Sequence, residues 1–136
     1  GIAVARARLA SALRGQLAPW SINCMAQHAG IASLADRSYA DKTRIVTARY
    51  RRELIAGLRN FDALKVYESD ANFILLRIIT PSLNALTLKA KLLRMGIAVR
   101  VCSNFSGLDA GYFRVAVRTP AENWRLLKAL SAVLEE

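Results

Sequence analysis

Histidine occurs once in this chain, at position 28, and cysteine twice, at 24 and 102. Neither cysteine belongs to a Cys-x-x-Cys pair or a cysteine–histidine cluster, so a metal centre has no support. Two thiols in a chain of 136 residues fit a reducing compartment, and a cytoplasmic location is the expectation. No run of about 18 uncharged apolar residues occurs, so no segment is expected to span a membrane. A Gly-rich phosphate loop ending in Lys-Ser or Lys-Thr is missing, as is any Ser/His/Asp or Cys/His constellation. The ten carboxylates show no pattern of a catalytic pair. His28 lies mid-helix with no carboxylate close in sequence, and is read as a structural or surface residue in preference to a general base. The first seventeen residues scatter Arg6, Arg8 and Arg14 among Ala and Leu. An export signal would place charge first and an unbroken apolar stretch after it. An Arg-rich, acid-poor mitochondrial presequence stays open as an alternative.

What the chain has in quantity is apolar surface and arginine. Hydrophobic residues make up 54%, which argues against disorder, and the length fits one domain with a core of its own. The formal net charge is +10, with twenty Lys and Arg against ten Asp and Glu. Arginine dominates the basic set, and its planar fork suits anions held through two hydrogen bonds. Composition therefore admits nucleic acid, phosphates and carboxylates as partners.

The hydrophobic period predicts the element order. Residues 2–17 read as an Ala/Leu/Arg helix ending near Pro19, and 22–35 as a small-residue helix with Ser21 as its N-cap. A third helix is expected over 37–59, with Val46, Tyr50, Leu54 and Leu58 as its apolar stripe. Arg44, Arg49, Arg51, Arg52 and Arg59 are assigned to a solvated face. Then the period shortens. A strand is expected at 64–67, a turn at Ser69–Asp70, and a strand buried on both faces at 72–79. Pro81–Ser82 opens a helix expected to turn Leu83, Leu86, Ala90 and Leu93 inward, and Gly96 ends it. Ile97–Val101 is the next strand, 102–111 a loop, and Tyr112–Val117 the last strand. Thr119-Pro120-Ala121-Glu122 is a capping box with proline at the first helical position. The final helix is expected to bury Trp124, Leu127, Leu130 and Leu134. The resulting fold class is α+β: a small, mostly antiparallel sheet covered by helices and preceded by three helices.

Two arginines stand apart from the helical ones. Arg100 lies near a strand end between Val99 and Val101, and Arg114 lies between Phe113 and Val115. Strand neighbours point to opposite faces, so Arg114 faces away from Phe113, Val115 and Val117. Arg118 shares its face but stands about 13 Å along the strand. Arginine in a sheet interior is costly unless paired. An anion clamp, on one side, and an internal salt bridge or an edge position, on the other, are equally compatible with this pattern.

Several segments together carry a resemblance. They are Pro19-Trp20-Ser21-Ile22-Asn23, Ala71 to Arg77 (ANFILLR), Gly96 to Arg100 (GIAVR) followed by Cys102 to Asp109 (CSNFSGLD), and Tyr112 to Thr119 (YFRVAVRT) with Glu122-Asn123. In this order and spacing they resemble threonine-phosphate decarboxylases, over nearly the whole chain from about Leu17. Histidinol-phosphate aminotransferases share the framework; the Trp-Ser-x-Asn element and the Cys-Ser-Asn-Phe loop favour the decarboxylase. Ser106 departs from the pattern, which usually has proline there, and Ile2 stands where the family has tyrosine. Gly1 resembles the last glycine of the family's Gly-x-Arg-x-Gly-Tyr segment.

The resemblance implies the C-terminal small domain of a fold type I pyridoxal-phosphate enzyme. It implies helices at 1–36 linking to a large domain, and the small domain proper at 37–136. It implies conversion of L-threonine O-3-phosphate to (R)-1-amino-2-propanol O-2-phosphate and carbon dioxide, in cobalamin biosynthesis. Arg114 matches the arginine that holds the substrate carboxylate, and Arg100 an arginine near the substrate phosphate. Asn104 lies in the substrate-side loop. The Schiff-base lysine belongs to the large domain, and none of Lys42, Lys65, Lys89, Lys91 or Lys128 stands in a matching context. The expectation is therefore pyridoxal phosphate in the full-length enzyme but not on this chain alone, no catalytic residue and no activity in this chain by itself, a homodimer, and neither nucleic acid nor membrane as partner. A nucleic-acid-binding sheet would show exposed aromatics beside basic residues, whereas Phe73, Phe113 and Trp124 are assigned to core faces.

Overall fold

The computed structural model describes residues 4–18 and 21–134. Pro19, Trp20, Gly1 and Ile2, on which parts of the resemblance fall, lie outside the described residues. The chain divides into two compact units, Gly1–Ala40 and Asp41–Glu136.

The first unit holds α1 (Ala7–Arg14) and α2 (Cys24–Ala35), and neither helix buries a residue. Asn23, not Ser21, caps α2: its side chain accepts from the Ala26 amide at 2.8 Å. An Asn side chain reaches the third amide of a helix as well as Ser does, so both residues were eligible. Asp36 does the same for α3 (Arg37–Leu58), accepting from the Tyr39 amide at 2.9 Å. The boundary between the units falls within α3.

The second unit is the α+β body. Strands β1 (Leu64–Val66), β2 (Phe73–Ile78), β3 (Arg100–Val101) and β4 (Tyr112–Ala116) form one antiparallel sheet in the order β1-β2-β4-β3. Ile74, Leu76, Ile78, Phe113 and Val115 face a single core shared with Leu54, Ile55 and Leu58 of α3. Ala85, Leu88 and Leu92 of α4 (Ala85–Arg94) complete it, with Leu126, Ala129, Leu130 and Val133 of α5 (Pro120–Leu134). Burying each Leu, Ile, Val or Phe of this core contributes about 1.5–3 kcal/mol before entropy is counted. Gly57 lets α3 approach α5: a Cβ there would stand 2.6 Å from a Leu127 methyl. Gly96, at φ +72°, ends α4 as expected. The capping box forms, with Thr119 and Glu122 exchanging bonds between side chain and backbone.

Four expectations fail. Strand β2 is buried on one face only, with Phe73 37% exposed, because no helix of this unit covers the other side. Helix α4 is rotated from its expected phase, whereas in α5 Leu130 is buried and Leu127 and Leu134 pack against the core as expected and only Trp124 of the four faces outward. Leu86, Leu93 and Trp124 are 67%, 55% and 59% exposed, whereas Ala85, Leu88, Leu92, Asn123, Leu126 and Val133 are buried. Both helices carry two rival stripes at three- and four-residue spacing, and the buried stripes include residues that hydropathy undervalues. Ala85 donates its amide to Ala110 at 2.9 Å, and Asn123 is satisfied by the Arg118 backbone at 3.0 and 2.9 Å. Finally, Arg51 leaves the solvated face: its side chain is 15% exposed and donates to the carbonyls of Asp70 and Ala71. Strand β3 is also shorter than expected, and residues 96–99 instead line, with Val115 and Ala116, a cavity of about 320 Å³.

Candidate anion-binding site

The face of the sheet opposite the core carries the polar chemistry. Cross-strand register places Arg100 directly opposite Arg114, and Arg114 directly opposite Leu75. Directly opposed residues of an antiparallel pair share a face, so both guanidinium groups leave the sheet on the same side. Arg100 is exposed and donates to the Asn104 side chain at 3.3 Å, so the loop residue singled out from sequence does stand beside it. Arg114 is half-buried, with its guanidinium carbon 4.1 Å from the centre of the Phe73 ring. Among the described residues, neither arginine is ion-paired with a carboxylate.

Arg77 lies on the same face and behaves differently. Its Nη2 donates to Asp109 at 2.7 Å, and its guanidinium lies 5.3 Å over the Tyr112 ring. The other Asp109 oxygen accepts from the Gly111 amide at 2.8 Å. Arg77 thus ties the end of loop 102–111 to β2. Tyr67 and Tyr112 stack with ring centres 5.9 Å apart, and their hydroxyls meet at 3.0 Å. That hydrogen bond, aided by loss of solvent, raises the Tyr112 phenol above its ordinary value. Lys65 covers the Tyr67 ring at 5.2 Å.

Sequence reasoning found Arg100, Arg114 and Asn104 but missed Phe73, Arg77, Tyr67, Tyr112 and Asp109. Strict alternation along β2 would have placed Phe73 and Arg77 on this face, had the apolar run not suggested burial on both sides. Arg118 does not join the group; it pairs with Glu122 at 2.7 Å. That pair and the Thr119 hydroxyl, the larger influence, hold the Glu122 carboxyl below its ordinary range. His28 is exposed on α2, its Nδ1 2.8 Å from the Cys24 carbonyl oxygen.

Exposed aromatics beside arginines are what a nucleic-acid-binding sheet would also show. Here the platforms are occupied: Arg114 covers Phe73, and Tyr67 and Tyr112 cover each other under Lys65 and Arg77.

The aminotransferase class I and II model matches residues 1–130. The chain belongs to that family. Its members are pyridoxal-phosphate enzymes. Among its relatives, the threonine-phosphate decarboxylase of Salmonella typhimurium is 37% identical over 122 residues, covering 90% of this chain and 33% of that enzyme. The adenosylcobalamin biosynthesis bifunctional protein CobDQ of Leptospira interrogans is 34% identical over 134 residues, covering 98% of this chain and 15% of that protein. The solved histidinol-phosphate aminotransferase of Clostridium acetobutylicum superposes with a TM-score of 0.85 at 30% identity, over 94% of this chain and 38% of that one. The chain thus spans a third or less of these two curated relatives.

The family's cofactor can be tested against the residues described. It needs a lysine amine beside the substrate. Lys65 shares the arginine face but lies across β2 from β4 and leans on Tyr67. Lys128 sits over Trp124, 4.2 Å from its centre, and Lys42 and Lys89 are exposed on helices. Lys91 projects from α4. Among the described residues, no lysine is in contact with Arg100 or Arg114.

Proposed function

We propose that this chain is the substrate-binding C-terminal part of a pyridoxal-phosphate-dependent L-threonine O-3-phosphate decarboxylase, serving cobalamin biosynthesis. The observation that carries the reading is the opposed pair Arg100 and Arg114, on one open face and without carboxylate partners among the described residues. Opposed strand residues lie about 4.5–5.5 Å apart at Cα, so two long side chains from these positions can reach both ends of one small dianionic ligand. Arg114 receives the carboxylate through two parallel N–H···O bonds, and Arg100 the phosphate. Asn104 steadies Arg100 through the bond already formed. Holding both anions fixes rotation at the α-carbon, which selects the bond to be broken. Electron withdrawal from that carbon is the cofactor's contribution, and the cofactor is held by the rest of the enzyme.

The first unit supplies the contact with that remainder and with a second subunit. Helix α2 leaves Met25, Ile31 and Leu34 at 77%, 68% and 75% exposure, apolar surface of a kind usually buried against a partner. A cytoplasmic homodimer is the assembly proposed. A second reading, a histidinol-phosphate-type aminotransferase, is favoured by the superposition on the clostridial enzyme.

Products decide between the two. The full-length enzyme, given L-threonine O-3-phosphate, is expected to release carbon dioxide and an aminopropanol phosphate in equal amounts. Amino transfer from L-glutamate to a phosphorylated ketone, with no carbon dioxide from the threonine ester, would replace the decarboxylase with the aminotransferase.

A further inference from the structure

A cation that receives a ligand has to be held still without being neutralised. Arg77 shows the ordinary way of holding one: Asp109 fixes it at 2.7 Å and spends its charge. Arg114 is held otherwise. Its guanidinium carbon stands 4.1 Å from the Phe73 ring centre, and it has no ion pair among the described residues. The register explains the contact. Phe73 opposes Ala116 and Leu75 opposes Arg114, so Phe73 is the diagonal neighbour of Arg114 on the same face, within reach of a long side chain.

The contact with the ring does not neutralise the guanidinium, and no hydrogen bond from the Arg114 side chain is present among the described residues. All five N–H donors of arginine lie in the guanidinium plane. A ring stacked on the flat face draws on the positive charge through the negative face of its π-system and takes none of those donors. Phe73 is also 37% exposed and is not one of the core residues.

We propose that Phe73 is the positioning residue for Arg114: its ring sets the plane of the guanidinium and so the direction from which a substrate carboxylate is received. This rests on reading Arg114 as the carboxylate-binding arginine. The phosphate end, assigned to Arg100, is outside its influence, so Phe73 discriminates for the carboxylate alone.

The test uses the full-length holoenzyme and two probes. L-threonine O-3-phosphate carries both anions; (R)-1-amino-2-propanol O-2-phosphate, used as a competitive inhibitor, carries only the phosphate. Phe73→Leu is expected to raise KM for the first about three- to tenfold, with kcat changed less. The inhibition constant of the second should move less than about twofold, and Phe73→Tyr should restore KM. Fluorinated phenylalanines at position 73 keep the ring's shape while draining its negative face. They guard against a leucine variant that folds poorly, and KM should rise stepwise with fluorination. A flat response to fluorination, or equal weakening of both probes, overturns the proposal. Arg114→Gln separates the two layers of the argument. If it leaves KM for L-threonine O-3-phosphate unchanged, the carboxylate reading fails, and the proposal falls with it. If it raises KM while Phe73→Leu does not, only the role of Phe73 is refuted.

Discussion

The sheet has two faces built by the same strands and doing opposite things. On the helix side, Ile74, Leu76, Phe113 and Val115 are at most 3% exposed and belong to the apolar core. On the other side, Phe73, Arg77, Tyr112 and Arg114 carry rings and guanidinium groups half in solvent. Alternation at period two lets β2 and β4 serve both without compromise. The comparison teaches where mutations should separate stability from binding: at adjacent residues, not in distant regions. Within the open face a second contrast holds. Arg77 is neutralised and fastens a loop, whereas Arg114 is steadied by an uncharged ring.

The largest expected effect lies across the Phe113–Arg114 step. Phe113→Ala should cost about 3–5 kcal/mol in denaturant unfolding, since it removes a fully buried ring and leaves a cavity in the core. Arg114→Ala, one residue along, should stay within about 0.5 kcal/mol, as substitutions outside the core usually do. Equal losses would break the division of the faces.

A smaller effect tests the helix that covers the buried face. Thr119→Ala removes the cap of α5 and should cost about 1 kcal/mol. The cap also holds the Glu122 carboxyl below its ordinary range. A depressed carboxyl stabilises the fold above its unfolded value and loses that contribution as pH falls through the folded one. The cost of Thr119→Ala should therefore shrink as acid protonates Glu122. A pH-independent cost would mean that the bonds to Glu122 contribute nothing.

The smallest effect sharpens the contrast between the arginines. A double-mutant cycle on Arg77 and Asp109, whose side chains are 42% and 55% exposed, should give a coupling below about 1 kcal/mol. A larger coupling would make the Arg77–Asp109 pair a principal support of the fold and not a loop fastening.

Much of this was legible before any coordinates. Caps and breakers act locally, so the Thr119–Glu122 box and Gly96 stood where expected. Alternation also placed Arg114 opposite to Phe113. The second face of β2 was not legible, because Phe73, Leu75 and Ile79 extend the apolar run of Ile74, Leu76 and Ile78 and read as continuous burial. Nothing in a strand's own residues says whether a helix lies over both sides. The phase of α4, and the place of Trp124 in α5, failed for a related reason. A Leu-rich helix has more apolar positions than a core accepts, and the choice falls to tertiary packing around Ala85 and Asn123. Phe73 as the partner of Arg114 needed the register between β2 and β4, which long-range pairing alone determines.

The most direct test of the central claim is a crystal structure of the full-length enzyme with L-threonine O-3-phosphate bound. The account predicts the carboxylate on the edge of Arg114, with that guanidinium still stacked on Phe73. It predicts the phosphate within reach of Arg100, and Arg77 still paired with Asp109. A substrate anchored on Arg77, or Arg100 and Arg114 each closed by a carboxylate of the enzyme, would contradict it.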